Sequence, residues 1–280
     1  MNTNNLLITG STSALARSLI RVAAQKKEYR VLSVSRSDPP MQQYSDGLKD
    51  FKELSEIDFT NEMHLESLAE CVQDFFKERF NVIHFAGDFW RHKPLVCTEF
   101  TEIQSMINSH YVSLCGVAKA TTPLMMKYGG GRLVAFTCNS VSYSYPDMSP
   151  FTASKAAVES FIKCYSNEQA PNGISATAIA LPTMRTDKIL IEKPNGDHEN
   201  YIEPDKLSIF ILDHVLTQPP IATGNIMRLV SASPTFYGMG YFERNPRKEE
   251  HNDAMQPTAS VAAAPSASGD GYRSAEETMT

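Results

Sequence analysis

Asn5-Leu6-Leu7-Ile8-Thr9-Gly10-Ser11-Thr12-Ser13-Ala14-Leu15-Ala16 decides how this chain folds. Asn5–Thr9 is a short apolar run that ends in turn chemistry. Ala14–Lys27 then places Leu15, Leu19, Val22 and Ala23 on one face, the period of an amphipathic helix. A strand, a tight turn and a helix in that order let backbone N–H groups and a helix N-terminus face a pyrophosphate. The physical requirement is a small residue at each point of close approach. Gly10 supplies the tight turn, and Ala14 and Ala16 stand where glycines are usual. Taken alone, one glycine and two alanines also fit a turn that is merely structural.

The same alternation continues outward from that turn. Arg30–Val34 and Glu53–Asp58 read as the second and third strands, followed by a helix over Glu62–Phe80 and a fourth strand over Asn81–Phe85. Glu99–Lys127 is one long helical stretch closed by Gly129-Gly130-Gly131. Arg132–Thr137, a helix over Phe151–Gln169, Ile174–Leu181 and a last strand over Asn225–Val230 complete the series. Strand alternating with helix in this way predicts an α/β fold, a Rossmann-type doubly wound parallel sheet of about seven strands with helices on both faces. Residues 1–240 are expected to form this single domain. The polar loop Lys188–Tyr201 is expected to be mobile, and residues 241–280, small and polar without an apolar face, to be a disordered tail.

A chain of 280 residues that is 42% hydrophobic can bury a substantial core, which excludes disorder over most of its length. A net charge of −6 speaks against a broad nucleic-acid surface, which needs an excess of Lys and Arg. No apolar run approaches the ~20 residues of a membrane span. The polar start Met1-Asn2-Thr3-Asn4-Asn5 has no basic n-region of a secretion signal. Cys71, Cys97, Cys115, Cys138 and Cys164 are odd in number and form no C-x-x-C pair, as in a reduced intracellular protein. No Cys or His cluster has ligand spacing, so no metal site is expected. These readings predict a cytoplasmic protein that acts on a small molecule and contacts neither nucleic acid nor membrane.

Further segments, in order along the chain, carry a resemblance. Thr9–Ala16 resembles the TGxxxGxG turn of the short-chain dehydrogenase/reductase family, with Ala at its second and third glycines. Asp58 matches that family's adenine-contacting aspartate, and His84-Phe85-Ala86-Gly87 keeps the last two residues of its NNAG segment. Asn108 matches the helix asparagine, and Pro182-Thr183-Met184-Arg185-Thr186 resembles the PGxxxT segment. The likeness runs from residue 5 to about 230 and implies a bound nicotinamide dinucleotide. It points to Gly10, Ser11, Ser13, Leu15, Arg36, Ser37, Asp58, Phe59, Ala86, Gly87, Lys155, Pro182, Met184 and Thr186 as cofactor-binding residues. A preference for NAD needs a carboxylate at the end of the second strand, where this chain reads Val34-Ser35-Arg36-Ser37. Arg36 can instead pair with a 2′-phosphate, which favours NADP over NAD; a solvated surface arginine is the alternative.

The resemblance also locates the chemistry. In the family a YxxxK pair handles the proton, a serine 13 residues before the tyrosine polarises the carbonyl, and the asparagine supports a water-linked proton path. Here Phe151-Thr152-Ala153-Ser154-Lys155 places Phe151 at the tyrosine position and Cys138 at the serine position, while Lys155 and Asn108 are retained. A phenyl ring has no proton to give, and a thiol is a weak donor. Loss of such a group typically costs ~10²–10⁴-fold, so reduction with a proton from elsewhere is not forbidden. Ser140, Tyr143, Tyr145, His110 and Tyr111 lie near enough in sequence to face the pocket, each with a packing or surface role as the alternative. Cys138 as a nucleophile would need an activating neighbour, and a buried small thiol is the simpler reading.

Three functions stay open: an NADP-dependent reductase or dehydrogenase, a non-redox enzyme on the same scaffold, and a catalytically silent NADP-binding protein. Asp88, Phe89, Trp90, Arg91 and His92, with the Thr183–Tyr201 loop, are expected to line the substrate pocket. Ile107–Met126 and Ala156–Cys164 carry apolar residues around more than one face, including Val112, Leu114, Val117, Val158 and Phe161. That pattern predicts a homodimer or homotetramer.

Overall fold

β1 (Asn5–Thr9) is buried along its whole length because parallel strands flank it on both sides and helices cover both faces. The computed structural model describes residues 4–37, 41–87, 92–216 and 223–230. Six further strands join β1: β2 (Arg30–Val34), β3 (Asp50–Leu54), β4 (Asn81–His84), β5 (Gly131–Cys138), β6 (Ile174–Leu181) and β7 (Asn225–Arg228). All are parallel, in the order β3-β2-β1-β4-β5-β6-β7. This is the doubly wound Rossmann-type sheet that the alternation predicts.

Successive side chains of a strand point to opposite faces, and the core divides accordingly. Leu7, Val82, Leu133 and Ala176 pack on one face under α2 (Glu62–Phe75), α4 (Ser113–Lys127) and α6 (Ser149–Gln169). Leu6, Ile8, Ile83, Val134 and Ile179 pack on the other under α1 (Ala14–Lys26) and α8 (Pro204–Phe210). α3 (Phe100–Ile107), α5 (Ser140–Tyr143) and α7 (Asp187–Glu192) are short helices that follow β4, β5 and β6 in the chain. α1 starts where Ser13 Oγ accepts from Ala16 N at 3.1 Å and stops where Lys27 turns left-handed at φ 58°.

Most boundaries agree with the sequence reading to within two residues, and the larger differences each have a physical reason. The third strand is Asp50–Leu54, not Glu53–Asp58: it is an edge strand that needs no continuous apolar run, and Ile57 and Phe59 bury their side chains from the loop beyond it. α2 ends at Phe75 because Phe76 turns extended and stacks on Phe80 in the core, ring centroids 5.3 Å apart. The single helix expected over Glu99–Lys127 is two helices joined by a π-helical turn over Asn108–Val112, where Ser113 N–H donates to Asn108 O. The Lys188–Tyr201 segment, read as a loop, holds most of α7 and a 3-10 turn over His198–Asn200. The tail expected over 241–280 lies outside the described residues.

Candidate functional site

The strand order reverses between β1 and β4, and in open parallel sheets that reversal leaves a crevice beyond the carboxyl ends of the strands. A cleft of about 530 Å³ occupies the crevice. Its floor is main chain: Gly10 adopts φ +75°, and a Cβ there would stand 2.4 Å from Ala86 N. The turn after β1 therefore lies directly against the segment after β4, with no side chain between them. Gly10 and Ser11 N–H groups both donate to Val34 O, and Ser11 Oγ does so too at 3.3 Å. Ser11 is fully buried and braces the turn from behind. Ser13 caps Ala16 N, which leaves the first-turn N–H groups of Ala14 and Leu15 directed out of the helix end. The Leu15 side chain packs in the core, so only its main chain can meet a ligand.

Thr12, Ser13, Arg36, Ser37, Asp58 and Phe59 line one end of the cleft. Asp58 Oδ1 accepts from Thr60 N at 2.9 Å and from Thr60 Oγ1 at 2.8 Å. These two hydrogen bonds, with smaller contributions from Arg36 and His64, hold its carboxyl below the usual range although partial burial opposes them.

Ala86, Gly87 and Asn108 line the cleft as well. Lys155 extends from α6 to Gly87, its Nζ 3.4 Å from where a Gly87 Cβ would stand, donating to Phe136 O at 3.3 Å and lying 5.8 Å from the Phe151 ring centroid. Phe151 packs with Met106, Met148 and Tyr145. Its ring meets His110 edge-on, centroids 5.3 Å apart. His110 is buried and its Nδ1 lies 2.7 Å from Ser154 Oγ. A second histidine, His84, bridges β1 and α4, with Nδ1 2.8 Å from Thr9 Oγ1 and Nε2 3.1 Å from Ser113 Oγ. Ser113 gives its own proton to Ser109 O, so His84 Nε2 must be the donor to it and Nδ1 the acceptor from Thr9. Burial, and secondarily the Lys155 charge, push His84 down to about 3 and keep it neutral.

Cys138 closes β5, and its Sγ accepts from Ser140 N at 3.4 Å. Ser140 is fully buried, its Oγ without a hydrogen-bond partner among the described residues. Pro182 and Met184 follow β6, Met184 bridging to Ile202, and Thr186 Oγ1 caps α7 by accepting from Ile189 N at 3.3 Å. Lys193, beyond α7, is pushed down by burial while nearby Cys138 acts in the opposite direction. His92 is lowered by burial and then by Lys193, against an opposing effect of Asp147. Asp88, Phe89, Trp90 and Arg91, expected to line the pocket, lie outside the described residues.

Of the side chains expected near the pocket, Tyr111 of the π-helical turn pairs instead with Phe161 of α6, and Tyr143 stacks on Tyr145 under Arg228. Leu114, Val117 and Val158, read as candidates for a subunit contact, pack in the chain's own core. Thr101, Gln104 and Ser105 of α3 line the cleft and were not foreseen. With Asn108 they form a polar stripe at the i, i+3, i+4, i+7 spacing of one helix face, a signal present in the sequence.

The short chain dehydrogenase family model matches residues 4–192. An uncharacterized oxidoreductase of Staphylococcus aureus (strain USA300) is 24% identical over 214 residues, covering 76% of this chain and 90% of that protein. YusZ of Bacillus subtilis, an uncharacterized oxidoreductase, is 21% identical over 194 residues, 66% of this chain and 67% of that protein. Among solved structures, a short-chain type dehydrogenase/reductase from Mycobacterium ulcerans is similar at TM-score 0.72 and 16% identity, over 82% of this chain and 89% of that one. A Tyr-to-Phe variant of ElxO with NADPH bound is similar at TM-score 0.71 and 20% identity, over 81% and 97%. No helix among the described residues is long and apolar enough to cross a membrane. With the family match spanning residues 4–192 on a sheet of this order, the chain belongs to the short chain dehydrogenase family and is an oxidoreductase of that type.

Proposed function

We propose that the protein is an NADP(H)-dependent oxidoreductase that interconverts a carbonyl and an alcohol on a small molecule, with an atypical active site. The observation that carries the cofactor choice is Arg36 with Ser37 on the cleft wall, close to Asp58, where no acid ends β2. A guanidinium there suits a 2′-phosphate through charge-assisted hydrogen bonds, and among the described residues no carboxylate at the end of β2 is placed to accept from a free 2′-hydroxyl. The residues fit the group: a floor of bare main chain at Gly10, Ala86 and Gly87, and a capped helix N-terminus beside it.

In this reading the main-chain N–H groups at the start of α1 hold the pyrophosphate, Asp58 and Phe59 the adenine, and Arg36 the 2′-phosphate. Ala86, Gly87, Pro182, Met184 and Thr186 border the nicotinamide half. When bound, the cofactor supplies the two-electron redox chemistry. Lys155 holds a ribose hydroxyl there and keeps a positive charge next to the reacting oxygen. Asn108 stands at the π-helical turn, on the cleft side. Phe151 keeps the position of the family's proton donor without a proton, and Cys138 with Ser140 replaces the hydroxyl that polarises a carbonyl. Assembly as a homodimer or homotetramer goes with this reading, through the partly exposed Tyr111 of the π-helical turn and Phe161 of α6.

Titration with NADPH and NADH tests the proposal. NADPH is expected to bind at least about tenfold more tightly, the least a charge-assisted contact of ~1.5 kcal/mol gives. Equal affinities would remove the role given to Arg36. Oxidation of NADPH by a carbonyl substrate, lost in Lys155→Ala, is the companion result.

A second reading rests on Phe151 itself: a silent NADP-binding protein. The ElxO variant with NADPH bound supports the point that a phenylalanine in place of tyrosine leaves such a cofactor held. Tight NADPH binding with no turnover across a carbonyl panel would favour it.

A further inference from the structure

None of the motif positions shared with the family falls on α3, yet α3 supplies part of the cleft wall. Thr101, Gln104 and Ser105 border the same space as Asp58 and Phe59. Other positions of the helix have structural work. Glu102 Oε2 accepts from Lys93 Nζ at 2.6 Å and from Glu99 N at 2.8 Å, closing a capping box at the start of the helix. Met106 is buried with Phe151 and Met148. Gln104 is exposed, and its carboxamide makes no hydrogen bond among the described residues.

The cleft face of this helix is polar but uncharged, with Thr101, Gln104, Ser105 and Asn108 at successive turns. A phosphate would call for Lys or Arg, as Arg36 provides elsewhere on the wall. Neutral groups suit a neutral ring that carries donors and acceptors on its edge. A carboxamide presents an acceptor and two donors in one plane, the pattern that pairs with the exocyclic amine and a ring nitrogen of adenine. Asp58 offers the complement. Its Oδ1 is taken by Thr60 N and Thr60 Oγ1, while Oδ2 makes no hydrogen bond among the described residues. The same two bonds keep the carboxyl ionised, so Oδ2 can only accept. A cleft of about 530 Å³ has the size of a site for one ligand, and both residues border it.

We propose that Gln104 reads the adenine of the dinucleotide, its Oε1 accepting from the exocyclic amine and its Nε2 donating to the neighbouring ring nitrogen, while Asp58 Oδ2 accepts the amine's second hydrogen. The inference rests on the NADP(H) reading above and deepens it, because it makes the cleft selective for a purine with an exocyclic amine. That amine has two hydrogens, and the two acceptors take one each. A purine without the amine leaves both acceptors without a donor. Gln104 is thus a specificity residue for the cofactor.

Calorimetric titration of the full-length chain with 2′-phosphoadenosine 5′-phosphate tests the adenosine half without the nicotinamide. The same fragment carrying unsubstituted purine in place of adenine is the companion probe. The parent is expected to bind the adenine fragment at least about tenfold more tightly than the purine fragment. Gln104→Leu should reduce that ratio by about threefold or more, since one of the two acceptors for the amine is gone. Gln104 is exposed and has no internal hydrogen bond to lose, so this variant should fold as the parent does. Gln104→Ala should reduce the ratio by a similar factor, because the carboxamide and not the bulk of the side chain is responsible. A parent ratio near one, or a ratio unmoved in either variant, overturns the proposal. If neither the adenine fragment nor NADPH binds the parent, the functional reading itself has failed. If both bind and the ratio is unmoved by Gln104→Leu, the role of Gln104 alone has failed.

Discussion

Replacing Gly10 by alanine should destabilise the protein through two separable costs. Gly10 sits at φ +75°, where an L side chain strains the backbone by roughly 1–2 kcal/mol. The added methyl would also stand 2.4 Å from Ala86 N, 2.7 Å from Ala86 Cα and 2.8 Å from Phe85 C. All three are main-chain atoms that cannot rotate aside, so overpacking of about 1–3 kcal/mol is expected in addition. Gly129 provides the comparison, with φ +83° and nothing within 4 Å of a Cβ. Gly129→Ala should carry the backbone strain of roughly 1–2 kcal/mol alone. The gain from a stiffer unfolded chain is common to both variants and cancels in their difference. Urea unfolding of the parent and both variants, at unchanged m-values, measures that difference. Gly10→Ala is expected to fall below Gly129→Ala by about 1–3 kcal/mol. If the two lose the same stability within ~0.5 kcal/mol, the claim that the turn after β1 is pressed against the segment after β4 is wrong.

Other perturbations probe the site and the assembly. Arg36→Ala should weaken NADPH about 10–100-fold by calorimetric titration and leave NADH within about threefold, as the loss of charged hydrogen bonds to one phosphate. His84 has a folded pKa of about 3, below its ordinary 6.5, so the unfolded chain takes up the proton first as pH falls. Its contribution is therefore complete above about pH 6.5 and is lost as pH falls toward 3, by up to ~1.4 kcal/mol per unit; His84→Asn should flatten that slope in urea midpoints measured across pH. Restoring the family's groups in the double variant Phe151→Tyr, Cys138→Ser should raise reductase turnover by ~10²-fold or more if proton supply limits the parent. Light scattering at micromolar concentration should report a dimer or tetramer, and a monomer would remove the subunit contact assigned to Tyr111 and Phe161.

Strand existence was legible from apolar runs because the inner strands are buried on both faces, and Asn5–Thr9, Arg30–Val34 and Ile174–Leu181 match residue for residue. β3 was misplaced for the opposite reason: an edge strand tolerates Asp50, Lys52 and Glu53, while the more apolar Ile57 and Phe59 belong to a loop. At the site, Gly10, Arg36, Asp58 and Asn108 could be named from order along the chain, and they line one cleft. Ser11 and Leu15 were named with them, but sequence does not tell a side chain that braces a turn from one that faces a ligand.

The π-helical turn over Asn108–Val112 also constrains how this stretch can change in length. A π-helical turn winds one extra residue into a wider turn, so its residues cover about the same rotation as one fewer residue at ~100° each in a regular helix. Removing one residue from this turn would therefore join α3 and α4 into one regular helix with both faces kept, Leu114, Val117 and Ala118 on the sheet and Thr101, Gln104 and Ser105 on the cleft. Removing one residue from the middle of α3 has no such outlet and would turn part of that polar stripe by ~100° off the cleft wall. Single deletions between residues 108 and 112 should therefore be tolerated better than single deletions within α3.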